Sequence, residues 1–303
     1  MATTRTPNFN DVILAGGTGR SGTTIVGKLL SRHSQVKLSK PAEIKFLTSG
    51  NGLLDLVQNP RFSRNGKPLL GKHRNLIRFE KGLFGKWWER SGKKGGVTGL
   101  KVGIDQQSLH EIFLELQSSL GEDRALASAK FFRAFVDYQL QGTENSYWID
   151  TTPPNLMRAD EISRLLPQVR FIHMIRDGRD VASSVVREPW GPNNHFAALE
   201  WWRERLLKII KATEAIPDQV KHIWLEDLVT DNREQTLNEL LNFLGLDPDE
   251  KLTAYFIREV VVDSANIARW SNEVEEKIKF NNRYHQIFDE LVDKGLPLPM
   301  KQI

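Results

Sequence analysis

The stretch from Asp11 to His33 restricts the fold more than any other part of this 303-residue chain. Asp11-Val-Ile-Leu-Ala15 is a short apolar run that stops at Gly16-Gly17, as a strand buried on both faces does where turn residues bound it. From Gly22 onward, Ile25, Val26, Leu29 and Leu30 recur with helical spacing. Strand, glycine-rich turn and helix follow one another directly. Two later stretches repeat the order. Tyr147-Trp-Ile149 leads through Asp150-Thr-Thr-Pro153 into a helical pattern over 156–166, and Val169–Ile175 leads through Arg176-Asp-Gly-Arg into one over 180–187. Val36-Lys-Leu38 and Val220–Trp224 are further strand candidates, and helical patterns cover 196–216, 235–244 and 273–294. Strands alternating with helices predict an α/β chain in three layers, α/β/α, around a central, mostly parallel sheet of about five strands. One domain over 1–303 is expected, with a basic helical and loop insertion over about 48–145.

The turn itself carries chemistry. Gly17-Thr-Gly-Arg-Ser-Gly-Thr-Thr24 matches the P-loop pattern G-x-x-x-x-G-K-[ST] except that Thr23 stands in the Lys position. Such a turn gathers backbone N–H groups around a phosphate at a helix N-terminus, where the dipole adds about half a positive charge. Thr24 adds a hydroxyl. The Lys that reaches the outer phosphates of a nucleoside triphosphate is missing, no acidic strand end is evident for Mg²⁺, and the fixed cation is Arg20 instead. Phosphate binding survives these changes and metal-dependent handling of a triphosphate does not. The alternative is a tight strand–helix turn with no ligand.

Arg176 stands at the end of the next predicted central strand, on the edge beyond which open α/β sheets bind ligands. Ser184 lies eight residues on, in the following helix. A guanidinium fork with a hydroxyl beside it suits a fixed phosphate; the alternative is an ion pair with Asp177 or Asp180. Arg179 and Asp180 are expected to do no more than pair with each other at the surface. Two anion sites on one sheet edge imply a nucleotide with phosphates at both ends of its ribose.

Composition limits the rest. With no Cys, disulfides, thiolate metal sites and Cys nucleophiles are excluded together. The net charge of +4 is too small to indicate a nucleic-acid partner. No run approaches the roughly 20 apolar residues that span a bilayer, and the first ten residues lack the apolar core of a secretory signal. A cytoplasmic protein is expected. Residues 61–101 hold twelve Lys or Arg against Glu80 and Glu89, a balance of +10, so the remainder carries −6. That segment is either a solvated insertion or a lid or groove that attracts an anionic acceptor. Trp190, Trp201 and Trp202 are expected to pack rather than to stack on a base.

The two anion motifs resemble those of the sulfotransferases that use 3′-phosphoadenosine 5′-phosphosulfate. Gly19-Arg-Ser-Gly-Thr-Thr24 is similar to their 5′-phosphosulfate loop and Ile175–Ser184 to their 3′-phosphate motif, in the form seen in bacterial members and in protein-tyrosine and Golgi-type enzymes. Weaker similarity runs through Asp150–Asn155, Leu225–Val229, Asn242–Gly245 and Arg269-Trp270. The resemblance implies that Gly19, Arg20, Ser21, Gly22, Thr23 and Thr24 hold the 5′-phosphosulfate and that Arg176 and Ser184 hold the 3′-phosphate. It also implies that Arg269 lies on a segment closing over the donor, that a hydroxyl-bearing acceptor is sulfated, and that no metal is required. Glu43, in Lys40-Pro-Ala-Glu-Ile-Lys-Phe46 after the second strand, resembles the catalytic Glu of the Golgi-type enzymes, with Arg20 assisting departure of the leaving group. Its alternative role is a surface carboxylate paired with Lys40 or Lys45. His73 and His110 are the substitute bases, while His33 and His173 fit core roles. Two departures stand out. Thr151 occupies a position where many relatives have Lys, leaving Lys101 or Lys45 to supply the charge, and Leu225 replaces a Tyr, leaving Trp224 to contact the adenosine. A P-loop kinase and a non-catalytic module that binds adenosine 3′,5′-bisphosphate are the competing functions.

Overall fold

The computed structural model describes residues 7–58, 72–92 and 95–300. Its strands are β1 (Val12–Gly17), β2 (Val36–Leu38), β3 (Arg90–Ser91), β4 (Val97–Thr98), β5 (Tyr147–Asp150), β6 (Arg170–Ile175) and β7 (Val220–Trp224). β3 and β4 form an antiparallel pair, and the other five make one sheet in the order β2-β5-β1-β6-β7, parallel throughout. The expected five strands are thus all present. Each ends at the same edge, so the segments that follow Gly17, Leu38, Asp150, Ile175 and Trp224 meet there.

The helices are α1 (Thr23–Leu30), α2 (Leu53–Val57), α3 (Lys72–Lys81), α4 (Gln106–Ser119), α5 (Arg124–Leu140), α6 (Ala159–Leu165) and α7 (Gly178–Val185). They continue with α8 (His195–Thr213), α9 (Leu225–Val229), α10 (Arg233–Leu244), α11 (Glu250–Glu259), α12 (Val262–Ala265), α13 (Trp270–Glu273) and α14 (Lys277–Asp293). Alternation along the strands sends Val12, Leu14, Trp148, Phe171 and Trp224 to one face of the sheet and Ile13, Ala15, Ile149, Ile172 and Ile223 to the other. The first face is covered by the insertion, whose Phe79, Phe131, Phe132 and Phe135 pack edge to face with one another or with Phe46 of the loop after β2, and by α8 and α14. α1, α10 and α11 cover the second.

Local chemistry moves several boundaries. The helix expected over 156–166 opens as a 3₁₀ turn, Pro153–Arg158, because consecutive prolines supply no N–H yet fit a first turn. The first helix ends at Leu30, and His33 lies in the turn after it with Nε2 2.9 Å from the Asp247 carbonyl. The last expected helix, 273–294, is present as α14, which starts four residues later, at Lys277. Of the basic segment, 61–71 and 93–94 lie outside the described residues. Among the described residues no helix is long and apolar enough to cross a membrane.

His173 and His222 face each other across β6 and β7, Nδ1 to Nδ1 at 2.9 Å. One imidazole must donate and the other accept, which a doubly protonated pair cannot do. Burial pushes both down, with the neighbouring charge of His222 adding for His173 and of Lys221 for His222, which falls to about 4. An unfolded His titrates near pH 6.5, so the folded protein binds fewer protons below that pH and loses stability as pH falls toward 4. For His222 alone the loss between pH 7.5 and 5 is about 2 kcal/mol. Urea unfolding at the two pH values should show it, and His222→Gln should reduce it; an unaltered dependence would place the titration elsewhere.

Candidate active site

The turn after β1 is built on left-handed backbone. Gly19 (φ 92°), Arg20 (φ 60°) and Gly22 (φ 96°) all have positive φ, a region open to Gly and costly for Arg. The first bonds of α1 run from Ile25 N and Val26 N to Gly22 O at 2.9 and 3.1 Å. The N–H groups of Thr23 and Thr24 precede the intrahelical ladder, at the end where an anion is held. Thr23 is buried and Thr24 exposed. Ser21 Oγ is buried without a protein partner.

Arg176 leaves the end of β6 and is 8% exposed. Its Nη1 donates to Arg20 O at 3.2 Å, its Nη2 to Ala265 O and Asn266 O at 3.0 and 2.9 Å, and its Nε is buried without a partner. Ser184 Oγ accepts from Arg20 Nε at 2.8 Å, and Arg20 Nη1 lies 3.5 Å from Glu188. The two motifs, more than 150 residues apart in sequence, therefore touch. Asp180 is 3.7 Å from Arg176, so the ion-pair alternative is met in part.

Arg179 and Asp180 correct the sequence expectation: both are buried, and each makes a different structure. Arg179 donates to the Asp177 carboxylate through Nε at 3.0 Å and lies 4.8 and 4.3 Å from the ring centres of Trp270 and Tyr284. Asp180 accepts from Ala268 N at 2.8 Å and Trp270 N at 3.0 Å. Between them Asn266 and Ala268 have φ of 53° and 57°. Residues 265–270 thus form a strap fastened to the Arg176 motif by Arg176, Arg179 and Asp180. The spacing of four between Arg176, just before α7, and Asp180, in its first turn, was the signal available in sequence. Burial raises Asp180 against the two N–H groups and Arg176. Under the same motif Glu226 Oε1 accepts from Asp177 N at 3.0 Å, and burial together with Asp177 pushes Glu226 up to about 8. Arg269 rides on the strap, exposed, bonded to Glu273, which also takes Arg187.

Glu43 lies beyond β2, partly exposed and hydrogen-bonded to Lys45 Nζ, the partner that the surface alternative named. Arg90 Nη2 donates to its carbonyl at 3.4 Å. The loop is anchored by Asp150, a residue without an assigned role in the sequence reading. Asp150 accepts from Ile44 N at 3.0 Å, and from Thr152 N, Thr152 Oγ1 and Asn155 Nδ2 at 2.9 Å each. Burial pushes it up to about 6, opposed by these donors. Thr151 is buried, its N and Oγ1 both donating to Ala42 O. Of the two lysines weighed as replacements, Lys45 touches Glu43, whereas Lys101 bonds Glu89 at 2.7 Å.

The histidine alternatives disperse. His110 lines a cavity of about 900 Å³ with Ile77, Phe84 and Gln106, and neither Glu43 nor Arg20 borders it. His173 is in the core, and the side chain of His73 lies outside the described residues. Trp224, expected as the adenosine contact, is 3% exposed and donates to Pro297 O at 2.9 Å. Trp202 is core, as expected. Trp201 packs against the same core and against the turn at Gly19, and Trp190, 54% exposed, packs on Trp201. Among the described residues no cluster of three or more His, Asp or Glu is placed to hold a metal ion.

The sequence profile described as the Sulfotransferase family matches residues 69–250. The structure is similar to the sulfotransferase domain of the olefin synthase of Synechococcus PCC 7002, at 18% identity and TM-score 0.54, covering 97% of this chain and 99% of that one. It is also similar to sulfotransferase STF9 from Mycobacterium avium, at 12% identity and TM-score 0.49, covering 96% and 78%. A third similar structure is mouse sulfotransferase SULT7A1 complexed with PAP, at 12% identity and TM-score 0.46, covering 94% and 85%. No curated protein matches the chain.

Asp180→Ala removes the acceptor of two strap N–H groups. Hydrogen exchange at 266–270 should speed up by roughly tenfold or more while the strands of the sheet keep their protection. Unchanged exchange in the strap would assign its order to other contacts.

Proposed function

Because the chain belongs to the sulfotransferase family, we propose that it transfers a sulfuryl group from 3′-phosphoadenosine 5′-phosphosulfate to an acceptor hydroxyl. The meeting of the two anion sites carries the proposal: Arg20 Nε bonds Ser184 Oγ at 2.8 Å and Arg176 Nη1 bonds Arg20 O at 3.2 Å. One nucleotide charged at both ends of its ribose fits a single site made of both motifs. The unpartnered Ser21 Oγ and Arg176 Nε support that fit, since buried polar atoms ordinarily have partners.

The bound donor supplies a sulfuryl group activated on a phosphosulfate anhydride. The turn of Gly19 to Thr24 orients its 5′ end, while Arg176 and Ser184 fix the 3′-phosphate, with Arg269 on the strap above. In-line displacement builds charge on the bridging oxygen, and Arg20 with the N-terminus of α1 stabilises it without reorganising. Glu43 takes the acceptor proton. Lys45, bonded to Glu43, brings the positive charge that Thr151 does not. Arg90, from the basic segment, reaches the loop of Glu43, which favours an anionic acceptor. The core draws on residues from Phe9 to Leu296, in keeping with one domain, and the lack of Cys suits the reducing cytoplasm.

Adenosine 3′,5′-bisphosphate without Mg²⁺ should raise the melting temperature more than ATP with Mg²⁺; the reverse order would favour a kinase. Arg176→Ala should weaken bisphosphate binding roughly 10- to 150-fold, the loss of about 1.5–3 kcal/mol for a charge-assisted bond, and unchanged affinity would remove Arg176 from the site. Glu43→Gln should keep bisphosphate affinity yet lose about 100-fold or more of the transfer of labelled sulfate to a pool of hydroxyl acceptors. Near-normal transfer would move the base elsewhere.

A further inference from the structure

We infer that Arg205, on α8, is a positioning residue for the phosphate turn. It fixes the peptide between Thr18 and Gly19 so that the Gly19 N–H is presented to the 5′-phosphate of the nucleotide, and it backs that N–H with a positive charge. The inference rests on the reading of Gly19 to Thr24 as the 5′ site and adds a residue from outside both anion motifs. Arg205 Nη1 donates to Thr18 O at 3.1 Å. The Thr18–Gly19 peptide is trans, the cis bond among the described residues being Lys40–Pro41. In a trans peptide the carbonyl and the N–H point in opposite directions. A carbonyl held by Arg205 therefore turns the Gly19 N–H away from the guanidinium. Among the described residues no acceptor bonds that N–H, nor those of Arg20, Ser21, Gly22, Thr23 and Thr24. The fixed peptide stands at the head of a run of N–H groups suited to an anion.

Sterics alone would not hold this peptide. Gly19 has a φ of 92°, and glycine accepts either sign of φ, so a flipped peptide costs it little. Arg205 is itself held in place. Trp201, one helical turn earlier, has its ring centre 4.2 Å from the guanidinium. The Cη2 of the same indole lies 3.8 Å from where a Cβ on Gly19 would stand. Indole and guanidinium together brace the turn from the α8 side, so its orientation is set before a nucleotide arrives.

Arg205 is also the less compensated of the two cations at the turn. Arg20 Nε donates to Ser184 Oγ at 2.8 Å, and its Nη1 lies 3.5 Å from Glu188. Burial pulls the Arg205 guanidinium below its ordinary value, and no carboxylate among the described residues opposes the shift. A guanidinium nonetheless stays charged in a protein. Partly buried, it is screened less than an exposed side chain. A desolvated cation is costly without an anion, and a phosphate in the turn supplies one.

The test titrates the full chain by calorimetry with adenosine 3′,5′-bisphosphate and with adenosine 3′-monophosphate, which lacks the 5′ group. Arg205→Met is expected to weaken bisphosphate binding about 10-fold or more and to leave 3′-monophosphate binding unchanged, so the preference for the bisphosphate shrinks. Arg205→Gln keeps an N–H for Thr18 O without the charge and should lose less, again for the bisphosphate alone. If Arg205→Met does not fold, Arg205→Gln decides. Equal losses for the two nucleotides, as a general loosening of α8 would give, or full retention of bisphosphate affinity would overturn the inference. A wild-type chain that binds the bisphosphate no more tightly than the 3′-monophosphate would remove the turn itself as a phosphate site, and the role of Arg205 with it.

Discussion

A buried guanidinium is costly unless most of its N–H donors find acceptors, and Arg176 fills its two terminal nitrogens by drawing distant pieces of chain together. Its Nη1 takes the carbonyl of the turn after β1, its Nη2 takes two carbonyls of the strap, and its own backbone ends the strand beside β1. Three segments that share no local sequence relation are tied at one cation. Its Nε stays unsatisfied, as does Ser21 Oγ in the turn after β1. The protein's own bonds fix the geometry, so a phosphate reaching Arg176 meets a side chain that has little rotamer freedom left to lose.

On the other side of β1 a carboxylate does similar work. Asp150 gathers four donors from the loop that holds Ile44 and from the Thr152–Asn155 turn. The carboxylate of Glu43 is thereby referred to the same sheet as the phosphate turn, through one residue per strand. Cation and anion anchors sit on strands that flank β1 from opposite sides, β6 and β5. Sheet register therefore sets the separation of the Glu43 loop from the turn after β1.

The strand pattern, the two anion motifs and their common edge were all legible in sequence, because buried parallel strands and glycine-rich turns leave periodic and compositional marks. Asp150 and Asp180 were not. Their roles lie in which N–H groups they meet, Ile44 in one case and Ala268 and Trp270 in the other, and such pairings are fixed by tertiary packing. Arg179 looked like a surface charge because Arg and Asp are usually solvated; its burial needs Trp270 and Tyr284, contributed from the far end of the chain. Trp190 and Trp201 differ from Trp202 only in which side of the turn or helix they face, and one residue of helical phase separates a core indole from one lying against the phosphate turn.

The strap has a consequence for how the protein comes into being. Its carbonyls and amides, from 265 to 270, complete the environment of a cation at position 176 and a turn at position 20. During synthesis the first two can be laid down and packed long before the third leaves the ribosome. The surroundings of Arg176 are therefore among the last features to be completed, and a chain stalled before that point holds all five strands with an arginine still short of two carbonyl partners.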